Sequence, residues 1–181
     1  MNLHYNLQKI LLPKHLLETK DKVISLQGGD KKNRYTVKLT GVKTENISVI
    51  DFGKNPHSSL INNKEKNAFY KICDYLILIP QQDNKVTALL CELKKTYKKG
   101  NGERQLYSSL PLVDYIKSML ETHFEQKYKF NYQFIIIANK SAERFDKQKT
   151  RPNPIKTINC EKIKIGLILG ATIPFKSILE S

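Results

Sequence analysis

Short, dense apolar runs punctuate long polar stretches along this chain, and the runs set the first expectations. Cys73-Asp74-Tyr75-Leu76-Ile77-Leu78-Ile79 and Val86-Thr87-Ala88-Leu89-Leu90-Cys91-Glu92-Leu93-Lys94 are nearly continuous apolar segments of strand length. That is the pattern of strands buried on both faces. Pro80-Gln81-Gln82-Asp83-Asn84 separates them and predicts a hairpin. Tyr35–Leu39 and Ile47–Phe52 read as two further strands, with the polar turn Gly41–Asn46 joining them as a second hairpin. Tyr132–Ala138 is a wholly apolar strand, and Ile163–Leu169 is predicted to be the last one. Val23–Leu26 is a short apolar piece ahead of the turn signal Gly28-Gly29-Asp30.

Helical spacing marks three other segments. Leu7–Leu17 carries apolar residues at helical intervals, interrupted by Pro13. Ser58 or Ser59 can cap a short helix through Tyr70. Glu103–Glu125 places Leu106, Leu110, Val113 and Leu120 on one side, and Pro111 must kink that helix or open one, because it lacks the N–H for an i→i−4 bond. Lys94–Gly102 and Asn139–Pro154 are left as basic loops. The order helix, strands, helix, strand predicts an α/β fold with a mixed central β-sheet flanked by helices, as one domain over residues 1–181. The hairpins force antiparallel pairs, which excludes a purely alternating βαβ fold.

Composition adds class and charge. At 181 residues and 40% hydrophobic content the chain can bury a full core. No apolar run reaches the roughly 18–20 residues of a membrane helix, and Met1-Asn2-Leu3-His4-Tyr5-Asn6 has no basic-then-apolar signal pattern. Cys73, Cys91 and Cys160 are too widely spaced for a disulfide framework or a zinc pair. A cytoplasmic protein with reduced, structural thiols and no membrane partner is expected. The formal charge of +14 favours polyanionic partners through counterion release; the competing explanation is a composition rich in lysine throughout. With only Arg34, Arg104, Arg144 and Arg151 there is little bidentate base recognition on offer, so backbone tracking is expected.

The candidate chemistry sits on the two apolar runs. Acid-x-Lys spellings recur at Asp30–Lys32, Asp83–Lys85 and Glu125–Lys127, so the triplet alone carries no information. Glu92-Leu93-Lys94 differs in lying on an apolar strand, where residues i and i+2 project from one face. Burying Asp74 and Glu92 without partners is costly. They are balanced either by lysines, as strand-end ion pairs, or by a divalent cation with Lys94 beside it.

Asp74, then Glu92-x-Lys94, then a helix opening near Gln105 resembles the PD-(D/E)xK nuclease superfamily, with Ile72–Leu120 carrying the match. Cys73 stands where the family name has proline. The resemblance implies a restriction endonuclease-like αβββαβ core. It also implies an Mg²⁺-dependent endonuclease, with Mn²⁺ as a substitute, that acts on DNA more readily than on RNA, in restriction, phage defence or recombination. By that resemblance Asp74, Glu92 and the Leu93 carbonyl hold the metal, and Asp74, Glu92, Lys94 and Gln105 are catalytic, with Tyr107 near the backbone. An additional acid from the first helix is expected in the family, and Glu18 and Glu65 both qualify. Asp51 is either a third ligand or a turn residue, and His57 either an extra base or a solvated loop side chain. His123 is expected at the surface. Lys95, Lys98, Lys99, Arg104, Lys140, Arg144, Lys147, Lys149 and Arg151 are the candidate nucleic-acid contacts, and a homodimer is expected where a single site cuts a duplex. The alternatives are a non-catalytic nucleic-acid-binding module of the same fold and a basic protein that meets an acidic partner protein. The cyclase, phosphate-loop and hydrolase motifs are incomplete or missing in this sequence.

Overall fold

A computed structural model describes residues 3–29, 33–42, 47–53, 71–98, 102–141, 156–160 and 163–179. In chain order the elements are helix α1 (Leu3–Ile10), a 3₁₀ turn at Pro13–His15, strands β1 (Leu16–Leu17), β2 (Val23–Gly28), β3 (Tyr35–Thr40), β4 (Ser48–Asp51), β5 (Tyr75–Pro80) and β6 (Lys85–Tyr97), helices α2 (Glu103–Ser108) and α3 (Leu110–Phe124), strands β7 (Lys129–Ser141), β8 (Lys156–Cys160), β9 (Ile163–Leu169) and β10 (Thr172–Pro174), and helix α4 (Phe175–Leu179).

Seven strands form a mixed sheet in the order β1-β4-β5-β6-β7-β9-β8, and β10-β3-β2 form a smaller one. β4, β5 and β6 run as an antiparallel meander, and the α2–α3 crossover then returns the chain as β7, parallel to β6. Asp83 and Asn84 both have positive φ, at 58° and 56°. They turn the chain between Gln82, whose carbonyl accepts the Lys85 N–H at 3.2 Å, and Lys85, whose carbonyl accepts the Gln81 N–H at 2.7 Å, so two residues of one arm face one of the other. Pro111 lies in the first turn of α3 and opens it, where its missing N–H costs nothing.

The central strands are apolar on both sides because both faces are covered. On one face Leu7 of α1, Leu106 of α2, and Val113, Ile116 and Leu120 of α3 pack over Leu76, Leu90, Ile136 and Ala138. On the other, Ile24, Leu26, Val37 and Leu39 of the small sheet, with Phe175 and Ile178 of α4, pack over Ile77, Leu89, Cys91, Leu93 and Ile137. Successive residues of one strand therefore serve different layers.

Several local expectations change. Tyr35–Leu39 and Ile47–Phe52 do form strands, yet they belong to different sheets and make no hairpin with each other. β3 pairs with β2 and β10, whereas β4 pairs with β1 and β5. The reason is in their faces: Val37 and Leu39 alternate with exposed Thr36 and Lys38, while every residue of β4 is buried. The expected helix over Leu7–Leu17 ends at Ile10, and the chain beyond Pro13 becomes β1. β6 continues through Tyr97 into the expected basic loop, and β7 through Ser141 into the next one, because each extends the pairing of the other. β10 follows the strand predicted to be last, supported by parallel pairing with β3. The helix expected from Ser58 or Ser59 to Tyr70 lies outside the described residues.

Candidate metal and phosphodiester site

The hairpin register brings the two acids together. Tyr75 pairs with Cys91, so Asp74, one step before β5, comes opposite Glu92. Directly opposed residues of an antiparallel pair share a face at close range. The ladder stops there, and the Asp74 carboxylate replaces its next rung: Oδ2 accepts the Leu93 N–H at 2.8 Å. The Asp74 carbonyl in turn accepts the Phe52 N–H at 2.9 Å, tying the site to the end of β4.

Glu92 is buried, with 1% of its surface exposed. Its Oε1 accepts the Lys94 ammonium in a short ion pair, and its Oε2 has no hydrogen-bond partner among the described residues. Lys94 donates a second bond to Gln105 Oε1 at 2.7 Å. Gln105, on α2, anchors itself by donating to the Ile72 carbonyl at 3.2 Å. Ser109, at the α2–α3 junction, accepts the Cys73 N–H at 2.8 Å and donates to the Gln105 carbonyl at 2.7 Å. The helix bearing Gln105 is therefore fastened to the segment bearing Asp74.

Gly102 closes the site from above, at the start of α2. Its φ of +115° is open to glycine, and a Cβ there would stand 3.2 Å from Glu92 Cγ, 3.2 Å from Ile136 Cδ1 and 3.4 Å from Lys94 Cε.

Electrostatically the cluster is unbalanced. Burial, then the neighbouring Asp74 charge, pushes the Glu92 carboxyl up to about 8 despite Lys94. Burial pushes Asp74 up to about 6, against the Leu93 N–H and Lys94, while Asp51 adds repulsion. One ammonium does not balance two desolvated carboxylates, so a second cation is what would let both ionise near neutral pH.

Asp74, Glu92, Lys94 and Gln105 thus come together, with Leu93 between the two acids. Asp51 instead closes its own turn, Oδ1 accepting the Gly53 N–H at 2.9 Å. Glu18 is exposed and sits 3.7 Å from the Lys20 ammonium. It lines a cavity of about 480 Å³ beside α1 and β1, with His4, Gln8, Leu16 and Leu17, which contains none of the four. Among the described residues no group of three or more His, Cys, Asp or Glu side chains converges. Lys95, Lys98 and Arg104 are exposed, Tyr107 is half-buried, and His123 is exposed at the end of α3. Lys140 lies on β7 in register with Thr96. Glu65, His57, Lys99, Arg144, Lys147, Lys149 and Arg151 lie outside the described residues. Cys73 and Cys91 are buried free thiols.

Sequence pattern missed Gly102 and Ser109, whose neighbours come from distant segments. No protein-family model, curated protein or solved structure matches this chain.

Proposed function

We propose that this chain is a Mg²⁺-dependent nuclease with a restriction endonuclease-like core, α1-β4-β5-β6-α2/α3-β7, that hydrolyses phosphodiester bonds in nucleic acid, DNA in preference to RNA. The observation that carries this is the pair Asp74–Glu92, two carboxylates opposed on neighbouring strands, one of them with a buried oxygen lacking a partner. The donor set suits a hard cation. Mg²⁺ keeps several waters and needs only one or two carboxylates from the protein. Asp74 and Glu92 would supply these, and Leu93 would add its carbonyl, which lies on the same strand edge as the N–H that Asp74 engages. When bound, the cation supplies Lewis acidity that lowers the pKa of water and neutralises charge on a phosphate.

The chain's own groups do the rest. Lys94, held between Glu92 and Gln105, presents a fixed cation where negative charge grows on the phosphate. Gln105 restricts that ammonium to one position, since its own amide is tied to Ile72. Water adds across the P–O3′ bond, leaving a 5′-phosphate and a 3′-hydroxyl. Exposed Lys95, Lys98 and Arg104 flank the site and would meet backbone phosphates.

The test is cleavage of single- and double-stranded DNA and RNA with Mg²⁺ or Mn²⁺, alongside calorimetric titration of the metal. Metal-dependent cutting lost in both Asp74→Asn and Glu92→Gln supports the proposal. A pure protein that neither cuts nor binds metal would leave the rival, a non-catalytic nucleic-acid-binding module of the same fold that keeps the Lys94–Glu92 ion pair.

A further inference from the structure

One peptide unit beside the site is gripped at both ends. The Ile72 carbonyl accepts the Gln105 side-chain N–H at 3.2 Å, and the Cys73 N–H of the same unit donates to Ser109 Oγ at 2.8 Å. These two groups point in opposite directions from a planar trans peptide. Gln105 and Ser109 stand four residues apart, one helical turn, so they can reach the unit from its two ends. Ser109 Oγ also donates to the Gln105 carbonyl at 2.7 Å, which closes a ring of contacts.

The Ser109 hydroxyl is diverted to this task. Ser109 stands at the N-cap of α3, where a serine ordinarily turns its hydroxyl to the N–H of the second or third helical residue. Pro111 is the second and has no N–H. The third, Leu112, donates to the Ser109 carbonyl at 3.1 Å. The hydroxyl therefore makes no cap bond. Ser109 is fully buried, and a hydroxyl carries one donor and two acceptor lone pairs. With the donor committed to Gln105, an acceptor lone pair is left for the Cys73 N–H, which lies outside the β5–β6 ladder.

We propose that Ser109 is a positioning residue for both halves of the Asp74–Glu92 site. Through Cys73 it fixes the backbone one residue before Asp74, whose carbonyl accepts the Phe52 N–H at 2.9 Å and whose Oδ2 accepts the Leu93 N–H. Through Gln105 it fixes the helical turn whose side chain receives the Lys94 ammonium at 2.7 Å. One buried hydroxyl thus sets the separation of a carboxylate and an ammonium that come from different strands. This rests on the nuclease proposal above. In that chemistry the spacing matters, because a cation held by Asp74 and the Lys94 ammonium must meet the same phosphate.

Ser109→Ala removes the hydroxyl. Amide exchange by NMR in EDTA then reads the position of Asp74 without metal or substrate. The Leu93 amide, covered by Asp74 Oδ2, should exchange at least about tenfold faster, while the Leu89 and Leu90 amides within β6 stay within about twofold. Calorimetry should show Mg²⁺ affinity lower by about tenfold or more, and at saturating Mg²⁺ kcat should fall by a similar factor with KM for DNA within about twofold. In a Gln105→Ala background, Ser109→Ala should still weaken Mg²⁺ binding but lower kcat by no more than about twofold further, because its route to Lys94 is already cut. Ser109→Cys fills the same space with a weakly hydrogen-bonding thiol, should give the same losses, and stands in where Ser109→Ala does not fold. A Ser109→Ala protein that only melts at lower temperature, with Leu93 exchange, Mg²⁺ affinity and kcat each within about twofold of wild type, overturns the proposal. So does a loss in only one of affinity and kcat, or a Ser109→Cys protein with wild-type values, which would assign the effect to volume. A wild type that neither binds Mg²⁺ nor cuts would sink the nuclease reading instead, and the exchange measurement would still decide whether Ser109 holds Asp74.

Discussion

Replacing Glu92 by glutamine should make the metal-free protein more stable at alkaline pH, although it removes one partner of a buried ion pair. The native Glu92 carboxyl titrates near 8, against an ordinary value of 4.5. As pH rises, the unfolded chain therefore releases this proton first, and between about 4.5 and 8 the native state binds more protons than the unfolded state. Stability then falls across that window and levels off above it. A shift from 4.5 to about 8 corresponds to a loss of about 5 kcal/mol when complete. Glutamine never ionises, so it avoids this loss. It keeps a neutral acceptor for Lys94, as the protonated carboxyl does, and can turn its NH₂ toward the Asp74 carboxylate; what Lys94 gives the ionised form is already counted in the value of about 8. The gain expected at pH 8.5 in EDTA is therefore up to about 5 kcal/mol, or about 10–20 °C in Tm for a chain of this size. At pH 5 most of the difference should vanish. With saturating Mg²⁺ the wild type should gain stability and the variant should not. Urea or thermal unfolding at the two pH values, with and without Mg²⁺, measures all of this. The difference between variant and wild type is the relevant quantity, because the histidines and the overall charge of +14 shape both curves alike. A Glu92→Gln protein no more stable than wild type at pH 8.5 in EDTA would refute the reasoning about this carboxylate.

Other outcomes follow from the same contacts. Lys94→Ala should slow cleavage by about 100-fold or more, and should also lower stability by about 3 kcal/mol at pH 8 because it leaves two buried acids without their ammonium; rate assays and urea curves read the two effects. Gln105→Ala frees Lys94 from its second anchor, so cleavage should drop by about tenfold while Mg²⁺ affinity by calorimetry stays within about twofold. Gly102→Ala combines a strained φ of +115° with Cβ contacts at 3.2 Å to Glu92 and Ile136, so a loss of about 1–3 kcal/mol is expected, with cleavage falling further than the unfolded fraction explains. Asp74→Ala and Glu92→Ala should each abolish metal-dependent cutting, with circular dichroism confirming a folded protein.

Much of this site was legible in local sequence. The run Tyr75–Ile79, the run Val86–Lys94 and the turn between them contain enough to form the hairpin. Counting back from a two-residue Asp83–Asn84 turn would set Asp74 against Leu93; Gln81 and Gln82 both bond Lys85, and this one-residue shift is what brings Asp74 opposite Glu92. The period of two puts Lys94 on the Glu92 face, and Pro111 marks the start of α3. These features depend only on neighbours along the chain. Sheet membership does not. Tyr35–Leu39 and Ile47–Phe52 look like hairpin partners in sequence, and only tertiary packing sent one to each sheet, since the layer a strand covers depends on faces contributed by distant segments. The raised carboxyl pKa values have the same origin: they come from burial beneath α2 and from charges brought close by folding. Likewise, nothing in the spelling Gly28 and Tyr35 distinguishes them. Tyr35 lies over Gly28 and against the central sheet only because the small sheet docks there through the Leu26, Val37 and Leu93 layer, on the face away from Glu92. Sequence determined which groups share a strand face. Tertiary structure decided which of them are desolvated together, and desolvation gives the site its chemistry.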